Sequence, residues 1–278
     1  MKFAPPELLT DSGDGAVDNQ SRDDWEKAIE YHEIKHRLRD ERTREKARAT
    51  AIEQIIRKAL ATMGAVSRPY REETSPWEKN PSAELDLEAS LSEDPSLESL
   101  LVEHRAPKRA EVVLCIDTSL SMTGRKLALT AVALATIALQ LESEDLGVVC
   151  FETDATVIKP LGRKMPLREL LRALLEVPAR GLTNIEAGLK KAALECGRGR
   201  LPRKAVILMS DGRFTAGANP EHMVAKLPRL HVVQTGSPWA SPRLCRNLAK
   251  KGGGKFVRVS RWEHLPKALY SLTGEIVR

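Results

Sequence analysis

From Glu111 to the end of the sequence, short apolar runs alternate with longer segments in which apolar residues recur at helical spacing. Such alternation is typical of a parallel sheet that is covered by helices on both faces. We therefore predict an α/β fold with a doubly wound, mostly parallel, six-stranded sheet. The predicted strands are Val112–Ile116, Gly147–Phe151, Ala155–Ile158, Ala205–Met209, His231–Gln234 and Lys255–Val259. The predicted helices span about 125–141, 166–176, 185–196, 220–227, 241–250 and 263–275.

Two of these runs have the composition of central strands, and one has that of an edge strand. Val112–Ile116 and Ala205–Met209 are apolar throughout, as expected of strands that are buried on both faces. The segment 152–154 is short and polar and lies between two apolar runs, which predicts a tight turn. The strand after this turn, Ala155–Ile158, is therefore expected to pair antiparallel at one edge of the sheet.

The sequence before this α/β region divides into three parts. Residues 1–20 are rich in Pro, Gly, Asp and Ser and are predicted to form a flexible tail. Residues 21–63 contain neither Pro nor Gly, and their apolar positions predict one long helix or two shorter ones packed on the α/β domain. The face expected to pack there contains Ile52, Ile55, Ile56, Ala59, Leu60 and Met63. Residues 65–110 contain five prolines and six leucines, which indicates an ordered connector. We predict a helical extension and connector over 21–107 and an α/β domain over 108–278.

Composition argues against several classes of protein. No run of about 18 apolar residues occurs, so no segment is predicted to span a bilayer. The N-terminus lacks the basic start and apolar stretch of a signal peptide. The four cysteines form no CxxC pair, which argues against a zinc or redox motif and against a disulfide framework. These features predict a cytoplasmic protein.

Charge is distributed unevenly along the chain. Residues 1–157 have a formal net charge of −10, whereas residues 158–278, with 24 basic and 8 acidic residues, have +16. A basic half can attract nucleic acid, phosphate or an acidic protein surface, and it can equally be covered by the chain's own acidic half. Aromatic residues make up 4% of the chain, so nucleic-acid binding would depend on Lys and Arg without an obvious base-stacking platform.

The candidate chemistry lies in three loops next to predicted strands and helices. Asp117, Ser119 and Ser121 follow the first central strand, Thr183 lies in a loop that opens a helix, and Asp211 follows the other central strand. Ligands bind doubly wound sheets outside the carboxyl ends of the strands, so these side chains are expected to converge. All five supply oxygen, which predicts an open Mg²⁺ or Mn²⁺ site. Each serine alone would also suit a helix cap.

The order of these residues, DxSxS followed by a single threonine and a second aspartate, resembles the metal-ion-dependent adhesion site (MIDAS) of von Willebrand factor A domains, a family that includes integrin I domains. The resemblance covers about residues 108–278. It implies that the five residues hold the cation. The hydroxyl groups would contact it directly or through water, and the aspartates often through water. It also implies that a carboxylate of a partner protein fills the last position. Leu120 is a departure, since the family often has Gly there.

The helical arm and the acidic stretch Leu85–Ser90 are similar to those of bacterial proteins that act with MoxR-type AAA+ ATPases. Carbon monoxide dehydrogenase accessory proteins and the D subunit of magnesium chelatase use similar A domains. This resemblance implies an adaptor for an acidic protein partner, in chaperone-like assembly or metal insertion. The chain has no Walker A pattern, so the ATPase would be a separate chain.

Two other functions compete with the adaptor as interpretations of the sequence. RNA-binding proteins with A domains exist in the same broad family, so a nucleic-acid-binding protein that uses the basic half is the alternative. Asp117 and Ser119 also resemble the DxDxT motif of haloacid-dehalogenase-like phosphatases, but Ser119 replaces the second Asp. Hydrolysis would also want a general base, and the sequence places no histidine near the five residues. We therefore expect no catalytic activity.

Overall fold

The structure is a computed structural model that describes residues 40–63, 70–79, 81–93, 100–120, 122, 124–178, 181–235 and 241–278. The predicted flexible tail, residues 1–20, and the first part of the predicted helix, residues 21–39, lie outside these ranges.

The N-terminal extension contains a long helix and a small antiparallel sheet. Helix α1 (Glu41–Met63) begins after Asp40, whose carboxylate accepts a hydrogen bond of 2.9 Å from the Thr43 backbone N–H and so caps the first turn. A three-stranded sheet follows, in the order β1-β3-β2. Its elements are β1 (Tyr70–Pro76), β2 (Glu84–Leu85), α2 (Leu87–Glu93) and β3 (Leu101–Pro107). The sequence predicts only a connector here, because β1 is mostly polar, β3 has its apolar residues at its two ends, and neither shows the apolar alternation of a half-buried strand.

The larger sheet has six strands in the order β6-β5-β4-β7-β8-β9. Strand β6 pairs antiparallel with β5, and every other neighbouring pair is parallel. The predicted doubly wound sheet with one antiparallel edge strand is therefore confirmed. The strands are β4 (Glu111–Asp117), β5 (Leu146–Phe151), β6 (Ala155–Lys159), β7 (Lys204–Ser210), β8 (Leu230–Thr235) and β9 (Gly253–Val259).

Helices cover both faces of this sheet, because the central strands are apolar on both sides. In β4, Val112, Leu114 and Ile116 face one hydrophobic core, while Val113 and Cys115 face the other. The first core is closed by α3 (Arg125–Gln140), α4 (Leu167–Glu176) and α7 (Leu265–Val277). The second core is closed by α5 (Ile185–Arg198) and α6 (Pro242–Lys251).

The helix predicted over about 220–227 is present but differs in type from the other predicted helices of the domain. Pro220–Lys226 forms a 3₁₀ helix. Pro220 begins the segment and Pro228 follows it closely, so few residues remain for the i→i−4 hydrogen bonds of an α-helix.

Helix α1 packs on the helical layer formed by α3, α4 and α7. Its buried apolar residues are Ala51, Ile52, Ile55, Ala59 and Met63, and the first four of these belong to the first core. Arg48, buried in the same interface, donates a hydrogen bond of 2.9 Å from its Nη1 to the Glu176 carboxylate of α4. The sequence also predicts Leu60 in the buried face, but Leu60 is 51% exposed. No helix among the described residues has the combined length and apolar character needed to cross a bilayer.

Docking of α1 can be tested with two substitutions on the same helix. Ile55 is fully buried against the domain, so Ile55→Ala is expected to lower the free energy of unfolding by about 2–4 kcal/mol. Leu60→Ala removes an exposed side chain and is expected to change it by less than about 0.5 kcal/mol. Urea denaturation of the two variants measures both values. Equal effects would contradict docking through this face.

Candidate metal centre

Asp117 ends the central strand β4 and is 5% exposed. Its Oδ1 accepts a hydrogen bond from the Ser119 backbone N–H (3.0 Å), and its Oδ2 accepts one from the Ser210 hydroxyl (3.0 Å). Ser210 ends the neighbouring strand β7, and its Oγ also accepts a hydrogen bond from the Gly212 backbone N–H (3.1 Å). Ser210 therefore links the Asp117 carboxylate to the loop that carries Asp211.

The electrostatic setting of Asp117 is unfavourable for a carboxylate on its own. Burial raises its pKa above the ordinary value, and the nearby charge of Asp211 raises it further, while hydrogen bonds from Ser119 and Ser210 oppose the shift. Among the described residues, neither aspartate forms an ion pair with a lysine or arginine. Within the described part of the chain, the donors to the Asp117 carboxylate are the uncharged groups of Ser119 and Ser210.

Thr183 lies in the loop before α5, and this loop is bound to the Asp211 loop. The Thr183 backbone N–H donates to the Thr215 hydroxyl (2.9 Å), and the Thr215 backbone N–H donates to the Thr183 carbonyl (2.9 Å). The next residue, Asn184, caps α5 by accepting a hydrogen bond from the Ala187 backbone N–H (3.0 Å). The start of the helix therefore fixes where Thr183 lies along the edge of the sheet.

The turn between β5 and β6 joins the remaining loops. The Thr118 backbone N–H donates to the Phe151 carbonyl (2.9 Å), and the Asn184 backbone N–H donates to the Glu152 carbonyl (2.7 Å). The loops that carry Ser119, Thr183 and Asp211 are therefore connected by hydrogen bonds at the carboxyl edge of the sheet. This is the edge at which doubly wound sheets bind ligands.

Gly212 allows the chain to turn immediately after Asp211. Its φ is +79°, and a Cβ there would lie 2.5 Å from Cys245 Sγ and 2.7 Å from the Ser241 carbonyl oxygen. The Asp211 backbone carbonyl accepts a hydrogen bond from the Ser241 N–H (2.9 Å). The Asp211 side chain accepts one from the Arg213 N–H (2.9 Å), so the loop holds this carboxylate close to its own backbone.

Four of the five predicted site residues therefore lie on loops that are hydrogen-bonded to one another: Asp117, Ser119, Thr183 and Asp211. Ser121 lies outside the described residues. Ser210 and Thr215 hold the site together, and the sequence alone predicts no role for either. The position of Ser210 at the end of a central strand, immediately before Asp211, is the only sequence signal for it; Thr215 has none.

The donor set fits a hard divalent cation. The described candidates supply carboxylate and hydroxyl oxygens, which Mg²⁺ and similar ions prefer. No three His, Cys, Asp or Glu side chains converge into a metal-binding group within the described part of the chain. A cation at this edge would therefore depend on hydroxyl ligands beside the two aspartates, and it would compensate the buried charge of Asp117.

Residues 112–213 match the family model of the von Willebrand factor type A domain, and this range includes all five candidate residues. A search of curated proteins found no match. The fold resembles that of a von Willebrand factor type A protein from Catenulispora acidiphila, with a TM-score of 0.52, 16% identity, and coverage of 77% of this chain and 51% of that one.

A second solved structure with the same fold is proximal thread matrix protein 1 from the mussel byssus, described with a zinc-occupied MIDAS motif. Its TM-score is 0.51 and its identity 20%, with coverage of 60% of this chain and 48% of that one. The chain thus spans about half the length of either protein. Because the two sequence identities are only 20% and 16%, these similarities show the fold and nothing more.

Two glycines with nearly the same φ test how tightly the Asp211 loop is built. Gly162 has a φ of +81° and open space around its Cα, so Gly162→Ala is expected to cost only the strain of a left-handed alanine, about 1 kcal/mol. Gly212→Ala adds the contact with Ser241 and Cys245 and is expected to cost about 3 kcal/mol.

Urea denaturation measures both costs, and calorimetric titration with Mn²⁺ measures the effect on the site. We expect weaker Mn²⁺ binding for Gly212→Ala alone. If both variants lose the same stability and bind Mn²⁺ as the unsubstituted protein does, the loop is not tightly constrained.

Proposed function

We propose that this protein is a metal-dependent binding module. Asp117, Ser119, Ser121, Thr183 and Asp211 would hold one divalent cation, Mg²⁺ or Mn²⁺. The cation would keep an exchangeable position at the open edge of the sheet, and an Asp or Glu of a protein partner would occupy it. The cation supplies charge and direction to this contact, and the side chains of the loops hold it in place.

The observation that carries this proposal is the buried carboxylate of Asp117. Burial and the charge of Asp211 both raise its pKa, and its hydrogen bonds come from uncharged groups. A buried charge without a compensating partner is costly, and a cation supplies the missing compensation. Residues 112–213 match the family model of the von Willebrand factor type A domain. This match supports a metal site at these residues, because the DxSxS pattern resembles the MIDAS of that family.

Binding is a better proposal than catalysis. Asp117 and Asp211 would both be committed to the cation, so neither is available as a general base. Within the described residues, His222 Nε2 lies 3.2 Å from a carboxylate oxygen of Glu186, and His231 lies at the other end of the sheet, near the start of β8. We therefore propose that the protein has no catalytic activity of its own.

A finer proposal concerns the partner. The sequence resemblance to cytoplasmic bacterial proteins that act with MoxR-type AAA+ ATPases suggests such an ATPase, or its client, as the protein that presents the carboxylate. This step rests on the order of the helical arm, the acidic stretch and the α/β domain. Chaperone-like assembly or metal insertion would then be the process served.

A basic groove at the opposite end of the sheet favours a second candidate function, nucleic-acid binding. The groove has a volume of about 730 Å³ and lies where β7 and β8 begin. Arg203, Arg229 and Arg278 line it, and its one acidic residue, Glu275, is ion-paired with Lys255. Exposed guanidinium groups without acidic partners suit phosphate oxygens.

The two candidate functions respond differently to salt and to chelation. Nucleic-acid binding should weaken steeply as salt is raised and should be insensitive to EDTA. Partner binding through the cation should be abolished by EDTA. Fluorescence anisotropy with a labelled RNA duplex tests the second candidate directly, and tight, salt-sensitive binding that persists in EDTA would establish it.

The metal assignment predicts an unusual stability pattern for Asp117→Asn. In EDTA the variant should be at least as stable as the unsubstituted protein, because an uncompensated buried charge has been removed. Mg²⁺ should stabilise the unsubstituted protein, by about 2.7 kcal/mol at a concentration 100 times its Kd, and should not stabilise the variant. Thermal or urea denaturation with and without Mg²⁺ measures both.

Asp145 provides the matched control. It is 3% exposed, but it forms a salt bridge with Arg109 in which two N···O distances are 2.6 and 2.7 Å. Asp145→Asn should therefore lose about 1–3 kcal/mol in EDTA and keep its response to Mg²⁺. An equal Mg²⁺ response in both variants would rule out Asp117 as a ligand.

A further inference from the structure

Three large apolar side chains are exposed beside the candidate metal ligands. Leu120 is 68% exposed and follows Ser119 in the chain. Leu182 is 52% exposed and precedes Thr183, and Phe214 is 39% exposed in the loop that begins at Asp211. We call Leu120, Leu182 and Phe214 the apolar collar.

The hydrogen bonds of the site hold the collar residues on one continuous edge. The Leu182 backbone N–H donates to the Thr153 hydroxyl (3.0 Å), which fixes this loop against the turn between β5 and β6. Phe214 is followed by Thr215, which is bonded to Thr183 in both directions. The collar is therefore carried by the same connected loops as the candidate ligands.

Exposure of large apolar residues is concentrated at this edge. Among the described residues of 108–278, four such side chains are exposed, namely the three of the collar and Leu194 on α5. Large exposed apolar side chains that are grouped on neighbouring loops mark binding sites more often than singly scattered ones do. Leu120 also stands where the resembling family often has glycine, so its large side chain at this position is a feature of this chain.

The charges at this edge are few. In the described loop segments 118–120, 181–184 and 211–217, only Asp211 and Arg213 are charged. The basic groove with Arg203 and Arg229 lies at the other end of the sheet. The turn between β5 and β6, to which these loops are hydrogen-bonded, adds Glu152 and Asp154. A partner that meets the metal edge therefore encounters the collar among hydroxyl and amide groups and these few charges.

We propose that the apolar collar selects a partner segment in which the metal-bound Asp or Glu is flanked by apolar residues. This inference rests on the proposed function, since the cation holds the carboxylate. A segment anchored there brings its neighbouring residues against Leu120, Leu182 and Phe214, and burial of apolar surface on both sides stabilises the complex. Flanking polar residues would lose hydration against the three collar side chains without gaining a hydrogen bond from them.

Synthetic peptides that differ only at the central acid and its flanks test the proposal. The first has Glu flanked by Leu and Phe, the second has Glu flanked by Ser, and the third has Gln flanked by Leu and Phe. Fluorescence anisotropy with Mg²⁺ or with EDTA measures their binding. We expect the first peptide to bind at least about tenfold more tightly than the second. Gln in place of Glu, or EDTA, should abolish binding.

A collar variant and a matched control complete the test. Leu120→Ser/Phe214→Ser should weaken binding of the first peptide at least about tenfold, whereas Leu194→Ser, which changes an equally exposed leucine elsewhere, should not. All three proteins should bind Mn²⁺ equally in calorimetric titration, which also shows that the variants are folded.

The outcomes separate this inference from the proposed function. If the unsubstituted protein does not bind Mn²⁺, the proposed function fails. If it binds Mn²⁺ but shows no preference for apolar flanks, or no peptide binding at about 1 mM, the collar proposal alone is overturned. Loss of peptide binding in the Leu194→Ser control would also overturn it.

Discussion

The register between β4 and β7 is the constraint on which the candidate site depends. Ile116 pairs with Met209, so the last residues of the two strands, Asp117 and Ser210, lie side by side and form a hydrogen bond. Both strands are buried on both faces, and a shift of one residue would exchange the side chains that face the two cores and disrupt the packing of each. The same packing that stabilises the sheet therefore sets the position of the buried carboxylate. The loops that bring Thr183 and Asp211 close to it depend on this edge being fixed first.

Much of the fold was predictable from sequence because the α/β region shows two clear patterns, the continuous apolar runs of buried strands and the helical spacing of apolar residues. The apolar runs of β4 and β7 are diagnostic of central strands, and the polar turn before β6 indicates an antiparallel edge. The small sheet of β1, β2 and β3 was not predictable, since its strands are held by backbone pairing and carry few apolar residues. Leu60 shows the same limit on a helix, because spacing alone does not show where a buried face ends.

The candidate site shows a similar division. The oxygen-bearing residues stand in a recognisable order along the chain, so Asp117, Ser119, Thr183 and Asp211 were identifiable. The groups that hold them were not, because Ser210 and Thr215 act through contacts between segments distant in sequence. The exposed collar residues were also missed, since a leucine in a loop has no periodic pattern that distinguishes a solvent-facing position from a buried one.

The separation of the two ends of β7 has a consequence for how binding events combine. A strand of seven residues is about 20 Å long, and the Debye length at physiological salt is about 8 Å. The charge on a ligand in the basic groove is therefore screened from the candidate metal edge. Without a conformational link, occupancy of one end leaves affinity at the other unchanged. Two ligands bound at once would be held at a fixed separation of about one strand length. Each ligand would then be at a high effective concentration near the other, although the affinity of each site is unchanged.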